Sequence, residues 1–119
     1  MRKRVLLVDD HPAVPLALKL FFKRVGAFEL AASAPTAADG LRLLANDYAA
    51  VLLDLHLPDL AGPALVQAFR DRKPGVPLIL YSSADDTPEV DAVRHLVDAV
   101  VLKSDVPDVL AALERLTAP

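Results

Sequence analysis

Val51, Leu52 and Leu53 form an unbroken apolar run that stops on a single carboxylate, Asp54, and is followed by the turn residues Pro58, Asp59 and Gly62. An apolar run this short, without polar alternation, fits a strand buried on both faces of a parallel sheet. Open sheets of that kind bind their ligands just beyond the C-terminal ends of the strands. Asp54 therefore stands where a site can form, although by itself it reads equally well as a strand-end residue that helps to start a turn. Three further strands tip the balance. Residues 4–8 repeat the pattern and end on an acid pair, Asp9 and Asp10; residues 78–81 end on Ser82 and Ser83; residues 99–102 end on Lys103.

Between these runs the apolar spacing becomes helical. Pro12 and Pro15 suit a first helical turn, where a missing N–H costs little, and Val14, Leu18, Phe21 and Val25 follow as one stripe closed by Gly26. Ala13, Ala17 and Leu20 fall on a face of the same helix turned away from that stripe. Residues 28–32 form a weaker strand, expected at a sheet edge. Thr36-Ala-Ala-Asp39 has the form of a capping box with Asp in place of Glu, and Leu41 and Leu44 carry the helix behind it to about Asn46. A third helix is predicted from about Pro63 to Arg72, with Leu65, Val66 and Phe69 inward. A fourth opens with Thr87 as N-cap and Pro88 behind it, with Val90, Val93 and Val97 as its stripe. Pro107 opens the last, whose inner face is Val109, Leu110, Leu113 and Leu116.

A strand–helix unit repeated five times with short loops predicts a single α/β domain over residues 1–119, a parallel sheet covered on both faces. Most of the prolines fall just after strand ends, so the loops bearing the acids, the serine and the lysine share one sheet edge. The hydrophobic fraction of 54% with few aromatics makes the core aliphatic, and the absence of cysteine excludes disulfides and thiolate metal sites. Only residues 5–8 are apolar between the basic start and the first aspartates, too few for a secretory signal, and no run approaches a membrane span. A cytoplasmic domain is expected. The net charge of −3 argues against nucleic-acid binding through this domain.

Asp9, Asp10, Asp54, Ser82 and Lys103 thus converge from four strand ends. Carboxylates crowded in one cleft repel one another, so without a cation at least one pKa should rise. A hard divalent ion relieves this, and Mg²⁺ suits a site with few carboxylates that keeps some of its waters. His11, His56 and His95 are scattered along the chain and read as loop or surface residues rather than ligands. Lys103 adds a second positive pole and Ser82 a neutral donor, and between the poles fits a small tetrahedral anion. With Asp54 as nucleophile the set supports phosphoryl transfer to a carboxylate, a reaction catalysed mostly by positioning and charge neutralisation. Singly, Lys103 reads as a solvated charge and Ser82 as a turn-former; jointly, at the strand tips of one fold, they do not.

At these residues the chain resembles the receiver domain of two-component response regulators. VLLVDDHP, LLDLHLPDLAG, LILYSSA and VVLKS carry the likeness, which runs from the first strand to the last helix. The resemblance implies a flavodoxin-like, doubly wound fold whose five parallel strands are ordered 2-1-3-4-5. It implies Asp54 as phosphoacceptor, and Asp9, Asp10, Asp54 and the main-chain carbonyl of His56 as ligands of Mg²⁺. Ser82 and Lys103 would bind the phosphoryl oxygens. The implied donor is a histidine kinase or histidine phosphotransfer protein. The implied response is a switch around the fourth helix and fifth strand, with homodimerisation and control of a DNA-binding output domain. The Asp-Asp-His-Pro run, and a lysine not followed by proline, look most like receivers attached to LuxR-type helix-turn-helix domains.

Some positions depart from the family pattern. Ser104 replaces the common proline after the lysine, so a trans peptide bond is expected there. Val100 stands where many relatives have Tyr or Phe, Leu96 and Val97 where small residues are usual, and Ser83 where Ala or Gly is usual. The competing reading is a Mg²⁺-dependent phosphohydrolase with an aspartyl-phosphate intermediate. Such enzymes commonly carry a second acid two residues past the nucleophile, where this chain has His56, and no insertion here is long enough for a substrate cap. A nucleotide site fits less well, because the loop from Asp9 to Pro12 lacks glycine. A protein-interaction module with an unused pocket is the third reading. The expectation is a phosphorylation-switched signalling domain rather than an enzyme.

Overall fold

The computed structural model describes residues 2–83 and 87–119. Its elements are β1 (Lys3–Val8), α1 (Ala13–Val25), β2 (Phe28–Ala34), α2 (Ala37–Leu43), β3 (Ala50–Leu53), α3 (Gly62–Arg72), β4 (Leu78–Ser82), α4 (Thr87–Val93), a 3-10 turn (Arg94–Leu96), β5 (Ala99–Leu102) and α5 (Val106–Thr117). The strands pair in parallel in the order β2-β1-β3-β4-β5, the flavodoxin-like order expected. Every residue of β3 and β4 is buried, as unbroken apolar runs require of strands covered on both faces. β2 lies at the edge, and its register against β1 slips between Val5 and Leu6.

Alternation along the strands sorts two cores. Leu6, Val8, Val51, Leu53 and Leu80 point to the face covered by α2, α3 and α4, where Leu65, Val66, Phe69, Val90 and Val93 meet them. Val5, Leu7, Leu52, Ile79 and Tyr81 point to the other face, under Leu18 and Phe22 of α1 and Val109 and Leu113 of α5. α2 approaches β1 closely at Gly40: a Cβ there would lie 2.8 Å from a Val8 methyl and 2.9 Å from the Phe69 ring. Gly26 (φ 80°) closes α1 in the left-handed conformation, its N–H donating to the Phe22 carbonyl at 2.9 Å.

Several helix details differ from the sequence expectation. On α1, Phe22 is buried beside Leu18, its ring 6.3 Å from that of Phe28, whereas Phe21 is half-buried and Val25 exposed beside the Gly26 turn. The Thr36 hydroxyl accepts the Asp39 N–H at 3.1 Å as expected, but Asp39 does not return the bond; its carboxylate pairs with Arg42 instead. Asp59, from the loop after β3, accepts the Ala37 and Ala38 N–H groups at 2.8 and 3.0 Å. α2 stops at Leu43, short of Asn46. Thr87 is itself helical rather than a cap, and the position before it lies outside the described residues. α4 gives way to the 3-10 turn after Val93, leaving Val97 half-buried. On α5, Ala112 joins Val109 and Leu113 in the core, while Leu110 and Leu116 lie at its margin.

At the sheet edge away from the acids, Arg70 of α3 closes the structure. Its guanidinium donates to the Leu96, Pro74 and Val76 carbonyls and to Asp98, and Asp98 also accepts the Leu78 N–H at 2.8 Å. Among the described residues no helix is long and apolar enough to cross a membrane, and no peptide bond is cis, including Lys103–Ser104.

Candidate functional site

The parallel ladder continues one residue past three strand ends and so sets the site. Asp9 N–H donates to the Ala34 carbonyl, Asp54 N–H to Val8 and Lys103 N–H to Ser82, at 2.8 to 2.9 Å. These bonds hold Asp9, Asp54 and Lys103 side by side at the C-terminal edge. Lys103 Nζ lies 2.8 Å from Asp9 Oδ2 and 3.4 Å from Asp54 Oδ2. Both aspartates are only 3% exposed. Ionised carboxylates so deep are costly unless a charge faces them, and the ammonium, itself largely covered, supplies that charge. Burial raises the Asp54 carboxyl above its ordinary range; the Lys103 charge opposes the rise, the Asp9 charge adds to it, and the His56 N–H, 3.3 Å from Asp54 Oδ1, lowers it again.

The donor set suits a hard cation. One carboxylate oxygen each from Asp9, Asp10 and Asp54 and one ring nitrogen of His11 all lie within 4.8 Å of one another. Asp54 Oδ2 is buried and makes no hydrogen bond among the described residues, an acceptor left over after the lysine contact. Carboxylate oxygens gathered on one partly open pocket match the preference of Mg²⁺, so Asp9, Asp10 and Asp54 fit the ion the sequence implied.

His11 is an exposed loop residue, as expected, and the structure adds what adjacency alone does not give: Nδ1 lies 2.7 Å from Asp9 Oδ1, 3.4 Å from Asp10 Oδ1, 3.6 Å from Asp54 Oδ2 and 3.1 Å from Lys103 Nζ. The available signal was adjacency to the acid pair. His56 and His95 are exposed, as expected.

Ser82 ends β4 at the same edge, fully buried, with no hydrogen-bond partner for Oγ among the described residues. A small cleft beside it is lined by Ser83, Thr87, Val90, Arg94, Val100 and Leu102. Val100 is half-buried there and carries no ring to fill the space. Tyr81 was legible only as a core residue. Its hydroxyl also reaches the Lys103 carbonyl at 3.4 Å, and burial and the Asp9 charge raise its pKa.

A doubly wound parallel sheet with an acid pair, a buried acid and a lysine gathered at its C-terminal edge has the architecture of a receiver domain. The sequence model of the response regulator receiver domain matches residues 5–114, and the chain belongs to that family of two-component proteins. It is 29% identical over 116 residues to the transcriptional regulatory protein MctR of Rhizobium johnstonii, covering 95% of this chain and 54% of that protein. It is 28% identical over 108 residues to SrrA of Staphylococcus aureus, covering 90% and 44%. The chain thus spans about half the length of the curated relatives it matches. Among solved structures, RcsB of Salmonella typhimurium superposes with a TM-score of 0.84 at 22% identity, over 96% of this chain and 60% of that one. The receiver domain of an HD domain-containing protein from Pseudomonas fluorescens Pf-5 gives 0.85 at 24%, over 98% and 87%. A LuxR-family response regulator from Aurantimonas sp. SI85-9A1 gives 0.81 at 24%, over 99% and 86%. At these identities the likeness to the solved structures is one of fold.

Proposed function

We propose that the domain takes a phosphoryl group on Asp54 from a histidine kinase or histidine phosphotransfer protein, in a Mg²⁺-dependent reaction. The observation that carries this reading is the buried Asp54 Oδ2, which lacks a hydrogen bond and faces Lys103 at 3.4 Å beside the Asp9–Asp10 pair. Asp9, Asp10, Asp54 and the His56 carbonyl would hold the ion. When bound, Mg²⁺ supplies charge neutralisation for the phosphoryl oxygens. An Asp54 carboxylate oxygen attacks phosphorus as the bond to the donor imidazole nitrogen breaks. The ammonium of Lys103 and the hydroxyl of Ser82, which has no described partner to lose, then hold the phosphoryl oxygens. Burial keeps the attacking carboxylate poorly solvated, so little water has to be displaced for the transfer.

The donor would dock on α1, where Ala13, Ala17 and Leu20 are exposed together with Leu16. The response would be read from α4 and β5, by a second copy of the domain or by a DNA-binding output domain in a cytoplasmic regulator. The phosphohydrolase reading has no second acid at His56 and predicts turnover of generic phosphomonoesters. Mass spectrometry after acetyl phosphate and Mg²⁺ tests the proposal: one added phosphoryl group that stays on the protein supports it. Label of equal extent on Asp54→Asn, or multiple turnover, would refute it.

A further inference from the structure

We propose that His11 is a side-chain ligand of the cation site, so that the pocket takes borderline divalent ions such as Mn²⁺, Co²⁺ and Ni²⁺ better than carboxylates and carbonyls alone would allow. The inference rests on the cation-site reading above and extends it to a nitrogen donor. Metal–ligand bonds of about 2.1 Å put neighbouring ligands of an octahedron about 3.0 Å apart and opposite ones about 4.2 Å apart. His11 Nδ1 stands 2.7, 3.4 and 3.6 Å from oxygens of Asp9, Asp10 and Asp54, and the whole set lies within 4.8 Å. Those separations fall short of one coordination shell's span of about 4.2 Å, so shifts of a few tenths of an ångström would bring the imidazole to a vertex.

Two further observations point to an ion there. Asp54 Oδ2 is buried, on a side chain 4% exposed, and the Lys103 ammonium approaches it no nearer than 3.4 Å, so its charge is incompletely met. The contacts of Nδ1 are also mutually contradictory. The Asp9 carboxylate at 2.7 Å calls for an N–H, whereas the Lys103 ammonium at 3.1 Å calls for a lone pair, and one ring nitrogen cannot present both. A cation among the carboxylates would take the lone pair, leaving the Lys103 ammonium to Asp9 Oδ2 and Asp54 Oδ2, 2.8 and 3.4 Å away. The ring is held for this role: the His11 N–H donates to Asp9 Oδ1 at 2.9 Å, its carbonyl accepts the Val14 N–H at 3.1 Å, and Pro12 follows directly. The side chain is 61% exposed, so the site borders solvent at the imidazole. Nitrogen donors favour ions in the order Mn²⁺, Co²⁺, Ni²⁺, all above Mg²⁺.

The test is calorimetric titration of the untagged chain with MgCl₂ and with NiCl₂, comparing wild type, His11→Ala and Asp10→Ala. His56 and His95 remain in every variant as a constant background, and the metal-free melting temperature checks folding. His11→Ala is expected to weaken Ni²⁺ binding about tenfold or more while changing Mg²⁺ binding much less. The d–d absorption of bound Co²⁺ should also change between wild type and His11→Ala. An unchanged Ni²⁺-to-Mg²⁺ affinity ratio in folded His11→Ala overturns the proposal. So does tighter binding of both ions, which would make the imidazole a competitor for the site. If neither ion binds wild type, or Asp10→Ala binds both normally, the cation-site reading itself fails, a result distinct from failure of the histidine alone.

Discussion

The ammonium of Lys103, carried on β5, reaches across β4 and β3 to lie 2.8 Å from Asp9 at the tip of β1. That contact, with the 3.4 Å approach to Asp54, balances two acids that the fold buries. Removing the ammonium leaves both acids uncompensated, at a cost of about 3–5 kcal/mol where the charge cannot relax. Lys103→Met should therefore lower the melting temperature in EDTA, and Asp54→Asn should raise it, because the amide removes a buried charge. Thermal melts of the two variants without metal check both signs, and Asp54→Asn should also lose acetyl phosphate labelling.

Millimolar Mg²⁺ should stabilise the wild type. An ion present at about ten times its Kd contributes about 1.4 kcal/mol to folding. Asp10→Ala should lose most of that gain with little change in EDTA, since Asp10 is exposed and makes no contact with Lys103 among the described ion pairs. Melting curves in EDTA and in Mg²⁺ that coincide for the wild type would refute a metal site.

Leu20, 66% exposed on α1, should matter to the protein donor and not to a small one. Leu20→Arg is expected to slow phosphoryl transfer from a cognate histidine-phosphorylated partner about tenfold, a loss of roughly 1.4 kcal/mol of transition-state stabilisation. Labelling by acetyl phosphate should stay at the wild-type rate. Parallel time courses with the two donors make the comparison, and equal slowing with both would mean damage to the fold.

Ser82 and Val100 should separate binding from packing. A ligand shifts two states only by its differential contacts, and the unpartnered Ser82 hydroxyl is poised to make one with the phosphoryl group. Val100, short and stiff at χ1, has no ring to swing into the cleft beside Ser82. Ser82→Ala should abolish the beryllofluoride-induced change in amide exchange across α4 and the 3-10 turn. Val100→Ala should keep that change while costing about 1 kcal/mol of stability. A wild-type response in Ser82→Ala would exclude this route, as would a lost response in well-folded Val100→Ala. A route from Ser82 to α4 would pass the loop between Ser83 and Thr87, which includes residues outside those described.

Asp59 gives a pH signature away from the site. Its bonds from the Ala37 and Ala38 N–H groups hold its carboxyl below the ordinary value of 3.8. A folded-state pKa below the unfolded one adds stability that is present above the unfolded value and lost as pH falls through the folded one. Asp59→Asn should thus be less stable than wild type near neutrality, with the gap closing below pH 3.8. Denaturant midpoints across the acid range measure it, and a gap independent of pH would contradict the assignment.

The strand ends were legible because their chemistry is local. Apolar runs without alternation identified β1, β3, β4 and β5, and each run named its own terminal residue, from the Asp9–Asp10 pair and Asp54 to Ser82 and Lys103. Helical spacing likewise placed Leu65, Val66 and Phe69 inward on α3. What the sequence could not carry were relationships between segments far apart along the chain. Asp59 caps a helix more than twenty residues before it, and Arg70 ties α3 to the start of β5, because backbone groups left open by one element are satisfied by whichever side chain folding brings near. Phe22 outranks Phe21 on α1 because β2 presents Phe28 to it. His11 shows the division most sharply. Its place in the chain was known, but the direction of its ring was decided only when β1, β3 and β5 set Asp9, Asp54 and Lys103 around Nδ1, since side-chain direction in a loop follows from the charges that surround it.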